Sequence, residues 1–300
     1  MLNTLYVILG PTGVGKTELG IHVAHALGCA VISCDSRQIF RELKIGTASP
    51  DERQLAAVKH YFIGTKSIFD HYSAGQYELD ALPVIENEIA LYGNALMVGG
   101  SMLYVDAVCR GIDDIPAVDS EVREEVRRLY EDEGIEGIRR RLRMLDPQHY
   151  MEVDLKNAKR MMHAIEVCIM TGGTFSSLRT NSVKRRPFRI VKIGLTLERE
   201  ALYDRINARV LKMMEQGLED EARRYYAYRH LNALNTVGYK ELFDYFDGSC
   251  TLDFAVGKIQ QNTRKYAKKQ ITWFKKDDSV RWFAPDMTDA VIDYVRETDA

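Results

Sequence analysis

Gly10-Pro11-Thr12-Gly13-Val14-Gly15-Lys16-Thr17 fits the phosphate-binding pattern G-x-x-x-x-G-K-[ST] at every fixed position. Its flanks supply the context that the pattern needs. Leu5 to Leu9 is an apolar, strand-like run, and after Thr17 the positions Leu19, Val23 and Leu27 recur at helical spacing until Gly28 stops them. Strand, glycine turn and helix N-terminus together aim backbone N–H groups and a helix dipole at one anion. Lys16 adds a point charge, and Thr17 adds a hydroxyl suited to Mg2+. The stretch specifies a bound di- or triphosphate and the first unit of an α/β sheet. It does not specify the reaction.

Outward from the loop, strands and helices alternate. Ala30 to Cys34 is a second β-branched, apolar run, and it ends in Asp35. Ligands of such sheets collect at the carboxyl ends of strands, so Asp35 is expected in the crevice that holds the loop. Three roles are open to it: Mg2+ ligand, general base, or cap of the segment from Ser36. His60 to Gly64 reads as a third strand. A helix follows through Leu79, Leu82, Val84, Ile85 and Ile89, with Pro83 expected in its first turn or at a kink. Asn94 to Val98 makes a fourth strand and runs into Gly99-Gly100-Ser101, either a close approach to a ligand or a tight turn into a helix.

From Asp113 to about Arg186 the pattern turns helical, with periodic segments at 119–131, 134–144 and 155–171. Arg189 to Leu197 returns to a strand, helices follow, and Val280 to Ala284 suggests a last strand. The expected fold is α/β: a P-loop NTPase-like parallel sheet flanked by helices, built from residues 1–112 and 187–300, with a helical domain inserted at 113–186. An insertion after a strand end is suited to a lid or to a platform for a second substrate. Arg205 and Arg209, at i and i+4, share a helix face and could clamp a departing phosphate. The pairs Met161-Met162 and Met213-Met214 read as core filling.

Composition narrows the class. The chain has 300 residues, 46% apolar and 28% charged, with no apolar run long enough to span a bilayer and no leader-like start. A cytoplasmic protein is expected, without membrane contact. Five cysteines with no C-x-x-C argue against a disulfide framework or a zinc ribbon. The net charge of −2 conceals an asymmetry: residues 156–192 carry 9 Lys/Arg against one acid, and residues 258–281 carry 8 against 2. Two basic blocks on a nearly neutral chain point to a polyanion larger than a nucleotide. Lys184, Arg185 and Arg186 are expected among its phosphate contacts.

The loop, together with DSRQIFRELKIGTASP at 35–50, YSAGQYELDA at 72–81, GGSMLYVDAVCRG at 99–111 and NAKRMMHAIEVCIMTG at 157–172, resembles the bacterial tRNA dimethylallyltransferase, or tRNA isopentenyltransferase, family. RINARVLKMMEQGL, TVGYKEL and TRKYAKKQITWF extend the resemblance in the same order along nearly the whole chain. It implies transfer of a dimethylallyl group from dimethylallyl diphosphate to the N6 amine of the adenosine immediately 3′ of the anticodon, with Mg2+ present and diphosphate released. Gly10 to Thr17, with Arg205, would hold the diphosphate, and Lys16, Thr17 and Arg209 would stabilise it as it leaves. Asp35 would be the general base. The segments Asp35, Ser36, Arg37, Gln38 and Lys159, Arg160, Met161, Met162, His163, with Ser101 and Arg123, match positions that meet tRNA. A monomer is expected.

Three departures stand out from the family pattern. Arg37 replaces the usual Met and sets a cation beside the expected base. His163 replaces an arginine as a pH-dependent phosphate partner. Ser101 replaces Thr but keeps the hydroxyl. The competing readings are a P-loop nucleotide or nucleoside kinase and an RNA-binding ATPase. The first leaves both basic blocks without a task, and the second lacks a strand-terminal Asp, since Gly99 follows Met97-Val98.

Overall fold

Each apolar run read as a strand contributes to one six-stranded sheet, in which every neighbouring pair is parallel. The computed structural model describes residues 3–116, 118–180 and 182–299. It divides into two compact units, Met1–Cys109 with Arg185–Ala300, and Arg110–Lys184.

The first unit opens with β1 (Thr4–Leu9), α1 (Lys16–Leu27), β2 (Val31–Ser33), α2 (Glu52–Ala57), β3 (His60–Tyr61), α3 (Ala74–Tyr92), β4 (Asn94–Gly99) and α4 (Met102–Arg110). The inserted unit contains α5 (Ser120–Leu145), α6 (Pro147–Glu152), α7 (Ala158–Thr171) and α8 (Phe175–Leu178). The chain then completes the first unit with β5 (Arg189–Leu195), α9 (Arg199–Glu215), α10 (Leu218–Tyr225), α11 (Tyr239–Phe246), α12 (Leu252–Phe274), β6 (Val280–Phe283) and α13 (Thr288–Asp299).

The strand order is β3-β2-β4-β1-β5-β6. All six residues of β1 are buried, as they must be when helices cover both faces of a parallel sheet. Tyr6 and Ile8 pack with Leu19, Val23, Ile206 and Val291 on one side. Leu5, Val7 and Leu9 pack with Tyr77, Ile85 and Val105 on the other. Each such side chain contributes about 1.5–3 kcal/mol when fully buried. The register sets the site. Leu9 lies level with Gly99 and Ser33 with Val98, so β1, β2 and β4 end together on one edge of the sheet.

Some local expectations change. The third strand shrinks to two residues because Phe62 adopts a φ of 63°, which ends the extended run. Pro83 lies well inside α3, beyond the first turn, because Ser73 caps the helix earlier than the apolar periodicity suggests. The missing Pro83 N–H falls on a face where Leu79 is 67% exposed, so water can serve the orphaned carbonyl. In the helical unit the segments at 119–131 and 134–144 join in α5, interrupted by Gly134 at φ 62° and ψ −161°. Val126, Ile138, Leu142, Met161, Ile165 and Phe175 form that unit's own core. Among the described residues no helix is long and apolar enough to cross a membrane.

One basic residue expected to grip phosphate does something else. The Arg186 guanidinium is buried in an ion pair with Glu78 at 2.7 Å and donates to the carbonyls of Ala107 and Val108 near the end of α4. Lys184 pairs with Asp114, and Arg185 is exposed. Replacement of Arg186 by Ala breaks a buried ion pair with Glu78 and removes the donor to two carbonyls, so the expected loss of stability is about 3–5 kcal/mol, read from the urea midpoint.

Candidate active site

The common edge of β1, β2 and β4 opens into a crevice of about 1160 Å3, lined by Thr12, Gly13, Lys16, Thr17, Asp35, Gln38, Arg205 and Arg209 among others. Gly15 caps α1 in a left-handed conformation at φ 108°, which only glycine adopts at low cost. The Arg205 guanidinium comes within 3.5 Å of where a Gly15 side chain would begin. The sequence stretch read first, Asp35 and both arginines of α9 are therefore brought together.

Lys16 folds back on its own loop, donating to Gly10 O at 3.0 Å and to Pro11 O at 2.7 Å. Burial pulls its ammonium down to about 8, opposed by the charge of Asp35 and reinforced by Arg209. Arg209 donates to Thr12 Oγ1 at 3.2 Å, and burial lowers its pKa against the pull of Asp35. The depression at Lys16 is worth on the order of 3 kcal/mol. A bound anion would recover it, so the crevice is complementary to negative charge.

Asp35 faces these cations with one oxygen committed. Its Oδ1 accepts from the amides of Arg37 at 2.8 Å and Gln38 at 3.2 Å, which is the capping role. Among the described residues Oδ2 takes no hydrogen bond, so a turn fixes the carboxylate and leaves one oxygen open to the crevice. Ser101 does not cap α4. Its hydroxyl accepts from the Ser36 amide at 2.8 Å and donates to Ser36 Oγ at 3.1 Å. Gln38 turns its amide to the carbonyls of Thr47 and Ala48. Arg37 spends donors on Asn232 O and Ala233 O and so ties the Asp35 turn to a neighbouring loop.

The remaining candidates lie in the helical unit. Arg123, Lys159, Arg160 and His163 are exposed, and Met162 is half-buried. Met161 cannot meet RNA as the resemblance implied: it is fully buried in the unit's core, one helical turn from Ala164 and Ile165 on the apolar stripe of α7. His163 lies 3.5 Å from Glu166.

Two crevice residues on α12 were not singled out from sequence. Gln270, 2% exposed, accepts from Thr12 N at 2.8 Å and donates to Gly100 O at 2.8 Å, bridging the phosphate loop to the end of β4. Tyr266 lines the crevice one turn earlier. The available signal was a glutamine on the buried stripe of Ile259, Ala267 and Phe274. Glu221 was missed too. It is buried and accepts from the amides of Lys44, Ile45 and Gly46 and from the Tyr239 hydroxyl, holding the loop along one crevice wall.

A parallel sheet with a phosphate loop at its carboxyl edge, and an acid opposite the loop's lysine, defines a P-loop-like α/β enzyme that handles a phosphorylated substrate. A family model described as IPP transferase matches residues 38–277. The chain belongs to the IPP transferase family, and this membership sets aside the kinase reading. It is 54% identical over 299 residues to tRNA dimethylallyltransferase 1 of Phocaeicola vulgatus, covering 100% of both chains. It is 58% identical over 284 residues to tRNA dimethylallyltransferase 2 of Porphyromonas gingivalis, covering 95% of each. The crystal structure of the full-length tRNA isopentenylpyrophosphate transferase from Bacillus halodurans superposes with a TM-score of 0.72 at 33% identity, covering 99% of this chain and 97% of that one.

Because the unliganded Lys16 loses its proton near pH 8, affinity for inorganic diphosphate is expected to fall as pH rises through about 8, with proton uptake on binding. Calorimetry in buffers of different ionisation enthalpy measures both, and the Lys16-dependent part should vanish in Lys16→Gln. Gln270→Ala should weaken diphosphate binding by roughly tenfold, since it frees a loop amide and orphans a buried carbonyl at a cost of about 1–3 kcal/mol.

Proposed function

We propose that the protein transfers a dimethylallyl group from dimethylallyl diphosphate to the N6 amine of the adenosine immediately 3′ of the anticodon in tRNA and releases diphosphate. The observation that carries this reading is the pairing, across one crevice, of a cationic phosphate cradle with an acid that has one oxygen open. The full-length similarity to tRNA dimethylallyltransferases supports it.

The geometry suits the chemistry. Loop amides, Lys16 and Arg209 take up charge that grows on the diphosphate as the allylic C–O bond breaks, with Arg205 at the rim. Asp35 Oδ2 accepts the amine proton as the N–C bond forms, which the weakly nucleophilic aromatic amine requires. Among the described residues no group of three or more His, Cys, Asp or Glu side chains could cage a metal. Mg2+ keeps several waters and needs few protein ligands beside substrate oxygens. Thr17 would hold it, and the ion would neutralise part of the diphosphate charge.

The acceptor base must leave the anticodon-loop stack, a cost of a few kcal/mol per base, about the least a structured RNA offers. Ser36, Gln38 and Ser101 stand beside Asp35 to receive it. Arg123, Lys159, Arg160 and His163 give the helical unit a phosphate-binding surface, with His163 contributing charge only when protonated.

Purified protein, Mg2+, unmodified tRNA and labelled dimethylallyl diphosphate should suffice to label one adenosine, located by nuclease digestion, with no ATP added. Consumption of ATP on a nucleoside acceptor, without label on tRNA, would overturn the reading. Asp35→Asn should slow single-turnover transfer by about 10² to 10⁴, the usual loss for a general base, while tRNA affinity stays within a few-fold.

A further inference from the structure

Gln38 closes the Asp35 turn, and its side-chain amide is held one way round. Nε2 donates to Thr47 O at 3.2 Å and to Ala48 O at 3.0 Å. Only the NH2 end of a carboxamide can stand between two carbonyls, so both of its hydrogens are consumed and the amide cannot flip. What remains is Oε1, an acceptor that takes no hydrogen bond among the described residues, on a side chain that lines the crevice. The backbone amide of Gln38 donates to Asp35 Oδ1 at 3.2 Å, which ties this acceptor to the acid.

The two carbonyls are placed by a carboxylate from a distant helix. Glu221 on α10 is 6% exposed and accepts from the amides of Lys44 at 3.0 Å, Ile45 at 2.9 Å and Gly46 at 2.9 Å, and from the Tyr239 hydroxyl at 2.6 Å. Four donors converge, which an acceptor-only carboxylate satisfies and a carboxamide cannot. The loop then closes on itself, with Ala48 N donating to Ile45 O and Ser49 N to Lys44 O. Ala48 takes φ 46°, a left-handed conformation that a residue other than glycine keeps only when its surroundings enforce it. Tyr239 presses from behind, since a side chain at Gly46 would begin 2.7 Å from its ring. Thr47 O and Ala48 O face Gln38 because Glu221 grips the three amides before them.

We propose that Glu221 is a positioning residue for Gln38: through the 44–48 loop it keeps Oε1 turned to accept the second hydrogen of the acceptor amine. The proposal rests on the transferase reading and deepens it. Of the two amine hydrogens, one goes to Asp35 Oδ2 as the N–C bond forms, and the other stays on nitrogen, held by Gln38. Two acceptors side by side select a base with an exocyclic NH2 over one with a carbonyl at that position.

The test uses the full chain, labelled dimethylallyl diphosphate, and anticodon-arm RNA carrying either adenosine or N6-methyladenosine as the acceptor. The methylated base keeps the hydrogen that Asp35 removes and lacks the second. Wild type should prefer adenosine by tenfold or more, because the methylated base leaves Gln38 Oε1 unpaired. Gln38→Leu should slow transfer to adenosine about tenfold and shrink that preference several-fold. Glu221→Gln should shrink it in the same direction, with KM for the allyl diphosphate within about twofold of wild type. A ratio of two substrates on one preparation does not depend on how much of it is folded, so a merely structural role would not move it. Should Glu221→Gln fail to fold, Tyr239→Phe, which removes one of the four donors, should give a smaller shift of the same sign. A preference unchanged in Gln38→Leu, or changed there but unchanged in the Glu221 or Tyr239 variant that folds, would overturn the assignment. A wild-type enzyme that labels neither RNA would instead end the functional reading on which it rests.

Discussion

Strand ends that meet with no space for a side chain are the constraint behind the whole site. A Cβ at Gly99 would lie 2.6 Å from Cys34 O, and one at Gly10 would lie 2.6 Å from Leu195 O, while Gly10 also sits at φ 146°. Only glycine lets β1, β2, β4 and β5 finish side by side at this spacing. The phosphate loop then leaves one strand directly beside the acid that leaves another. Gln270 fills the remaining gap, and its two hydrogen bonds turn backbone groups that would be orphaned into a rigid join.

That rigidity is held against electrostatic resistance. Lys16 and Arg209 approach each other in a desolvated crevice, and each is penalised by burial and relieved by Asp35. Such a site is poised for an anion before any arrives. Its advantage for catalysis is that the dipoles and charges need no reorganisation when charge moves onto a leaving group. The acid is kept from collapsing onto the cations because a turn amide pair holds its other oxygen.

Much of this was legible in the sequence for local reasons. Strands announced themselves as short apolar runs, three of them ending at a glycine, and the phosphate loop and Asp35 lie within a short stretch whose geometry is set by neighbours. What escaped depends on distance and burial. Gln270 meets Thr12 across 258 residues, which no local pattern encodes. Arg186 counts as a surface charge in any tally, but Glu78 and two carbonyls draw it inward. Met161 reads as core filling from the residues and as a tRNA contact only by resemblance, and helical phase turns it to the core. Short helices such as α2, held by the Asp51 capping box, hold too few residues to show a period.

The central claim is that one crevice holds a diphosphate on its loop side and presents an allylic carbon to Asp35. A crystal structure of the protein with Mg2+ and an unreactive thio-analogue of dimethylallyl diphosphate tests it most directly. The account predicts the diphosphate on the Gly10–Thr17 amides, Lys16 turned from its loop carbonyls onto it, Arg209 in contact, and the allyl chain directed at Asp35 Oδ2. An analogue bound elsewhere, or bound on the loop with its allyl chain pointing away from Asp35, would contradict it.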